Sequence, residues 1–481
     1  MKTIFEHSSP GKRGYFLPPL DLPERDLKGI IPEGYLREKL FLPEVSEVEV
    51  VRHFINLSIL NHHVDKGFYP LGSCTMKYNP KINETIANLP SFLNTHPLQD
   101  EEEVQGNLKL MAELGQLLLT IIGLDAITFQ PAAGAHGEFT SLLIVRKYFQ
   151  EKGEKRKRIL IPDSAHGTNP ASVTMSGHEA VVIPSDETGQ ISIKKLKEAI
   201  GEDCACLMLT NPNTLGIFEE KILEVAEICH SHGTLLYLDG ANLNAYLGYH
   251  RPGDAGFDLV HLNLHKTFST PHGGGGPGSG PVCVRKFLEP YLPIPRLIRE
   301  EGKFKFDWEE GKSIGKVSTF YGNFLVLIKA FVYIRMLGGE GLRDCAECAV
   351  LNANYIRKSL EGYYDLPYKS PTMHECVFSA ENLKRYGVRA LDVAKRLLDF
   401  GFHAPTMYFP LIVHEALMIE PTETESKETL DEFIRAMIQI TEEAKNNPEL
   451  LKKAPHKTPV KRVDEVKAAR ELILRYKPDD D

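Results

Sequence analysis

Between residues 61 and 325, short apolar runs of β type alternate with amphipathic helical stretches, and no other feature limits the possible folds as severely. "RILIPD" (158–163), "AVVIPS" (180–185), "ACLMLT" (205–210), "TLLYLD" (234–239) and "LVHLNL" (259–264) are the runs, with stretches such as "IKKLKEAIG" and "KILEVAEICHSHG" between them. Runs that are apolar at nearly every position suit strands buried on both faces. The alternation therefore predicts an α/β fold with a mainly parallel sheet covered by helices on both sides. Ligands of such open sheets bind beyond the carboxyl ends of the strands.

The flanking segments read differently. Residues 1–60 are rich in proline and charge, with a first convincing helix in "LPEVSEVEVVRHFINLSIL", and suggest an arm wrapped on a surface. Residues 61–325 form the expected large domain. Residues 326–481, with "FLVLIKAFVYIRMLGG", "HECVFSA", "RALDVAKRLLDFG" and "LDEFIRAMIQITEEAKNN", suggest a smaller α+β domain with a charged tail. A chain of 481 residues is too long for one simple core. Its formal net charge of -9 argues against a nucleic-acid or membrane-surface protein, which usually needs a basic face. No run has the apolar length of a bilayer span, and "MKTIFEHSSPGKRGYFLPP" lacks the apolar core of a signal peptide. The expected location is the cytoplasm. Cys345 and Cys348 form a CxxC inside a helical pattern, without a second pair at zinc-site spacing, so no metal is expected.

Four features fall near the strand ends. "QPAAGAHGEFTSLLIVRKYF" places a small-residue turn, Gly134 to Gly137, at the start of a helix, where free N–H groups and the helix dipole favour an anion; an ordinary glycine-containing loop is the alternative. His166, in "DSAHGTNPAS", follows a strand and can present an imidazole face, or be a solvated loop histidine. Asp239 ends a wholly apolar strand, a costly place for a carboxylate without a cationic partner, although it could also cap the next turn. Asn211, in "TNPNTLG", ends the preceding strand and could bond the same ligand. Lys266, in "NLHKTFSTPHGGGGPGSG", stands ahead of four glycines at 273–276, a costly run to order unless backbone must approach something closely. Alone it could be a surface charge, a phosphate ligand or a nucleophilic amine. Together the four supply what pyridoxal 5'-phosphate needs: a phosphate cradle, a ring-stacking group, an acid beside the pyridine nitrogen and a Schiff-base lysine.

"PLGSCTMKYNP" (70–80), "AAGAHGE" (132–138), "SAHGTNPAS" (164–172), "NLHKTF" (263–268), "GFHAPTM" (401–407) and "EPTETE" (420–425) resemble glycine decarboxylase, the P-protein of the glycine cleavage system. The resemblance spans almost the whole chain and is to the lysine-bearing C-terminal-half subunit of the two-chain form. It implies the fold-type-I, aspartate-aminotransferase-like architecture of pyridoxal-phosphate enzymes. It implies Lys266 as the Schiff-base lysine, His166 stacked on the ring and Asp239 at the pyridinium. Ala135, His136 and Gly137 would cradle phosphate through their amides, with Asn263 or Thr267 adding a contact. His63, Ser73, Thr75 and Tyr321 become candidates to grip the glycine carboxylate. The implied partners are glycine, a lipoylated H-protein and a lysine-free subunit 1, in a heterodimer that pairs again into a heterotetramer. A cysteine desulfurase-like enzyme of the same fold would need a mobile catalytic cysteine, and no loop convincingly carries one. A non-catalytic supporting subunit would not need the lysine.

Overall fold

The apolar runs become strands of one seven-stranded sheet in the computed structural model, which describes residues 2–37, 40, 42–272 and 278–474. Its strands are β1 (Ala126–Thr128), β2 (Arg158–Pro162), β3 (Glu179–Ile183), β4 (Cys204–Leu209), β5 (Leu235–Gly240), β6 (Leu259–Leu262) and β7 (Val282–Val284), in the order β1-β7-β6-β5-β4-β2-β3. Strands β2 to β6 pair in parallel, and β7 runs antiparallel to both β6 and β1. The central strands β4, β5 and β6 are buried at every position, whereas the edge strand β3 is largely exposed.

Alternation along each strand divides its side chains between two cores. Leu160, Leu207, Leu209, Leu236, Leu238 and Val260 pack under helices Gln105–Ile122, Ile222–Ser231 and Phe324–Leu360. Ile159, Ile161, Cys206, Met208 and Tyr237 face the opposite way, toward Leu142, Val145 and Phe149 of helix Gly134–Glu151 and Val173 of helix Thr168–Met175. Both faces are thus covered, as the unbroken apolar runs require.

Two compact units make up the chain, Met1–Lys66 and Gly67–Asp481. The first contains helix Glu47–Leu60, opened by a capping box in which the Ser46 hydroxyl accepts from the Glu49 N–H and the Glu49 carboxylate accepts from the Ser46 N–H. Much of its apolar surface is uncovered, including Tyr15, Phe16, Leu17, Leu20 and Leu22. The second unit holds the large sheet, a hairpin of β8 (Arg296–Glu300) and β9 (Lys303–Asp307), and an antiparallel sheet of β10 (Cys376–Ser379), β11 (Thr406–Met407) and β12 (Ala416–Ile419) in the order β10-β12-β11. A separate core gathers Phe378, Leu417 and Ile419 of that sheet with Val393, Leu397, Phe433 and Met437. Helix Phe324–Leu360 breaks at Gly338, whose φ of 64° is one that side-chain-bearing residues avoid.

Candidate active site

The carboxyl ends of β2, β4, β5 and β6 and the start of helix Gly134–Glu151 enclose a cavity of about 260 Å³. Its wall includes Ala135, His166, Asp239, Asn263, Lys266 and Ser73, so the structure brings together residues drawn from five separate stretches of sequence. The glycine run 273–276 that drew attention to Lys266 lies outside the described residues.

Lys266 is 7% exposed, and its Nζ donates to the Ser73 carbonyl at 2.5 Å. Ser73 has φ 63°, a left-handed conformation, and its N–H is engaged by the Glu375 carboxylate at 2.9 Å. The residue opposite the lysine is therefore held from both sides of its backbone.

Strand register positions Asp239. It pairs with His261 across β5 and β6, and His261 Nε2 lies 3.3 Å from Asp239 Oδ1. Tyr237 hydroxyl and His261 Nδ1 are 2.7 Å apart, which fixes the imidazole from its other side. Asp239 Oδ2 accepts from Asn169 Nδ2 at 3.0 Å, and Oδ1 accepts from the Ala241 N–H at 3.2 Å. Burial favours the protonated acid, but His261, the Asn169 amide, Lys266 and His166 outweigh it and hold the carboxyl below its ordinary range. Asp239 is a buried carboxylate, ready to face a cation.

His166 sits at the entry to helix Thr168–Met175, its Nδ1 2.9 Å from the Thr168 hydroxyl, which in turn donates to Glu138 at 2.7 Å. Burial, with Lys266 nearby, lowers its pKa despite the opposing pull of Asp239 and Glu138. The imidazole is thus uncharged, the form that can lie against an electron-poor ring.

The helix start fits an anion only in part as expected. Ala135 lines the cavity. A Cβ on Gly134 would run into the Asn263 amide, so only glycine permits that approach. Gly137, however, spends its N–H on the Ala133 carbonyl at 2.9 Å and packs against Gly280 and His261, away from the cavity wall. The His136 ring turns back to accept from the Ala132 N–H at 3.1 Å. Asn211 lies behind the wall, its Oδ1 accepting from the Glu219 N–H at 3.0 Å, and the Thr267 hydroxyl accepts from the Leu243 N–H at 2.7 Å. Asn263 Oδ1 and the Thr210 hydroxyl are buried without a partner on the cavity wall, polar atoms that a bound group would satisfy. An amine, a buried carboxylate, a neutral imidazole and a close-approach glycine at a helix start together fit pyridoxal phosphate.

Of the four residues considered for the substrate carboxylate, Ser73 lines this cavity. Thr75 stands beside it with its hydroxyl already committed, donating to Glu420 at 2.7 Å and accepting from Asn242 at 2.5 Å. Tyr321 is placed elsewhere: its ring lies against Phe306 at 3.9 Å, on the walls of two other cavities. His63 belongs to the first unit. Sequence reading gave no role to Glu138, Asn169, His261, Glu375 or Glu420. Glu138 carried a usable signal, since it falls on the buried stripe of its helix with Gly134, Ser141, Leu142 and Val145.

Comparison with known proteins agrees with this geometry. Residues 136–276 match the aminotransferase class-V family and residues 345–461 the glycine dehydrogenase C-terminal domain. Among solved structures, the chain superimposes on glycine decarboxylase (P-protein) of the glycine cleavage system, in inhibitor-bound form, with a TM-score of 0.71 at 22% identity, covering 86% of this chain and 94% of that one. A cysteine desulfurase from Thermococcus onnurineus NA1 gives 0.61 at 15% identity, covering 79% and 95%. These likenesses show the fold, that of the fold-type-I pyridoxal-phosphate enzymes. Sequence relatives are much nearer. "Probable glycine dehydrogenase (decarboxylating) subunit 2" of Bacillus licheniformis is 58% identical over 475 residues, covering 98% of each chain. The protein of that name from Caldanaerobacter subterraneus subsp. tengcongensis is also 58% identical, again covering 98% of each chain. That from Chloroherpeton thalassium is 55% identical over 480 residues, covering 99% of this chain and 97% of its own. At that identity over nearly full length, the chain belongs to the glycine dehydrogenase (decarboxylating) subunit 2 family.

Proposed function

We propose that this chain is the lysine-bearing half of a pyridoxal-phosphate-dependent glycine decarboxylase. It takes glycine, releases the carboxylate as CO2 and passes the aminomethyl group to the lipoyl disulfide of an H-protein. The observation that carries this reading is the meeting of Lys266, Asp239 and His166 on one buried cavity in a chain so close to proteins named as the second subunit of this enzyme.

Bound pyridoxal phosphate supplies the electron sink for the pair set free when the carboxylate leaves. The protein's own groups do the rest. Lys266 provides the amine that holds the cofactor. Asp239, buried and ionised, would hold a proton on the ring nitrogen of a bound cofactor and so keep that ring electron-poor. His166 would offer its uncharged imidazole to a ring face. Amides at the start of helix Gly134–Glu151, with Ala135 on the cavity wall, favour the phosphate. Ser73, held rigidly beside Lys266, is the substrate-side group we favour among the four carboxylate candidates. In the transfer step a carbon–sulfur bond forms to one lipoyl sulfur, the S–S bond breaks, and the other sulfur leaves as a thiolate that takes up a proton.

A desulfurase-like reading would call on Cys74, on the same wall. Burial pushes its thiol pKa up, with Lys266 opposing and Glu420 adding, so it is not the thiolate such chemistry needs.

The assembly we propose is cytoplasmic: a heterodimer with a lysine-free subunit 1, paired again into a heterotetramer. Among the described residues no helix is long and apolar enough to cross a membrane. Supporting a partner is the uncovered apolar surface of the first unit, where Tyr15, Phe16, Leu17 and Leu20 are each more than 70% exposed. Expressed alone, the chain is expected to bind cofactor but to catalyse little glycine–bicarbonate exchange with lipoylated H-protein. Adding the lysine-free subunit should restore exchange. Full activity from the isolated chain would overturn the two-subunit reading.

A further inference from the structure

Strands β10 and β12 pair with Cys376 opposite Ile419 at the end of their ladder, and Glu375 and Glu420 are the residues next to that last pair. Like charges brought close disfavour each other, and here both residues are buried, at 3% and 0% exposure. One carboxylate oxygen of each lies within 4.8 Å of the other's and of a His374 ring nitrogen. Glu375 is also on the wall of the Lys266 cavity.

The pair has few means of supporting two charges. Glu375 Oε2 accepts from the Ser73 N–H at 2.9 Å. Glu420 Oε1 accepts from Thr75 at 2.7 Å and Asn242 at 2.9 Å, while Oε2 is buried without a partner. Lys77 is committed to Glu423 at 2.6 Å. His374 is kept uncharged, its pKa pushed down to about 3 by burial and by Lys266. The other groups facing the pair are Glu423, the protonated Cys74 thiol and Lys266 itself. With both glutamates ionised, they and Asp239 would set three negative charges around one amine, in a cavity that must admit anions.

We propose that Glu375 and Glu420 share one proton beside Lys266, and that this proton keeps the cavity open to an anionic substrate group. The substrate half rests on the reading above that the substrate is a carboxylate-bearing amino acid. Burial raises both carboxyls, and the charge of Glu420 raises Glu375 further. A raised acid keeps its proton at neutral pH and releases it as pH climbs.

Infrared spectra of the assembled holoenzyme test the shared proton directly. A carbonyl band of a protonated carboxylic acid, sensitive to D2O, is expected at neutral pH and should vanish on alkaline titration. In E420Q, with the like charge gone, the Glu375 band should vanish at lower pH. Absence of the band in the wild type, or an unmoved midpoint in E420Q, overturns the shared proton. The substrate half is read from KM for glycine against pH. Wild-type KM should climb as the proton is lost, whereas E420Q, one negative charge short, should climb less. E375Q keeps an acceptor for the Ser73 N–H and should behave as E420Q does. Parallel KM profiles in all three proteins overturn the substrate half. A wild-type holoenzyme that shows the band but no glycine exchange overturns the glycine reading and the substrate half with it, and leaves the shared proton supported.

Discussion

Lys266→Ala is expected to lose turnover by at least the 10²–10⁴-fold, roughly, that a single positioned proton-transfer group contributes, and by more because the covalent hold on the cofactor goes as well. The side chain is buried, and it donates a hydrogen bond to the Ser73 carbonyl. Its removal leaves that carbonyl unpaired at a cost of about 1–3 kcal/mol, small against the fold's two large cores. The variant should therefore fold, assemble and retain some cofactor through Asp239 and the helix start. Steady-state exchange beside a thermal melt separates the two effects. Near wild-type exchange in a folded Lys266→Ala protein would refute the assignment.

The second large effect is expected at Asp239. Asparagine has the same shape and can still accept from Asn169 or Ala241, which now bond the carboxylate at 3.0 and 3.2 Å. What it removes is charge, at a buried position where His261, Lys266 and His166 all favour the ionised form. Charge stabilisation in a site closed to water is worth far more than in solvent. Asp239→Asn should therefore cost about 2–4 kcal/mol of transition-state stabilisation, roughly 30- to 1000-fold in exchange rate. Glycine binding should change much less. An exchange rate equal to that of the wild type would remove Asp239 from the chemistry.

The large sheet was legible because its central strands are buried on both faces. "ACLMLT" and "TLLYLD" each lie within one residue of β4 and β5, since a helix of such uniformly apolar sequence would need a core on all sides. Helix Glu47–Leu60 falls inside "LPEVSEVEVVRHFINLSIL", the first helix expected from the sequence. Lys266, His166 and Asp239 could be gathered on one cavity from sequence because each lies at or within four residues of the carboxyl end of a strand, and parallel strands bring their ends to one edge. The individual phosphate contacts were not readable in the same way. Whether an N–H is free depends on local geometry, and Gly137 has used its own within the helix turn. Tyr321 was a candidate because of its chemistry, and only tertiary packing could show that its ring goes to Phe306. Glu375 and Glu420 are 45 residues apart, and nothing in either local sequence announces that the fold brings their carboxyl groups together.

The most direct test of the account is to treat the assembled holoenzyme with borohydride, digest it and locate the pyridoxyl group by mass spectrometry. We expect the label on the Lys266 peptide, and none in Lys266→Ala. A label on any other lysine, or a cofactor that borohydride leaves removable by dialysis, would contradict it.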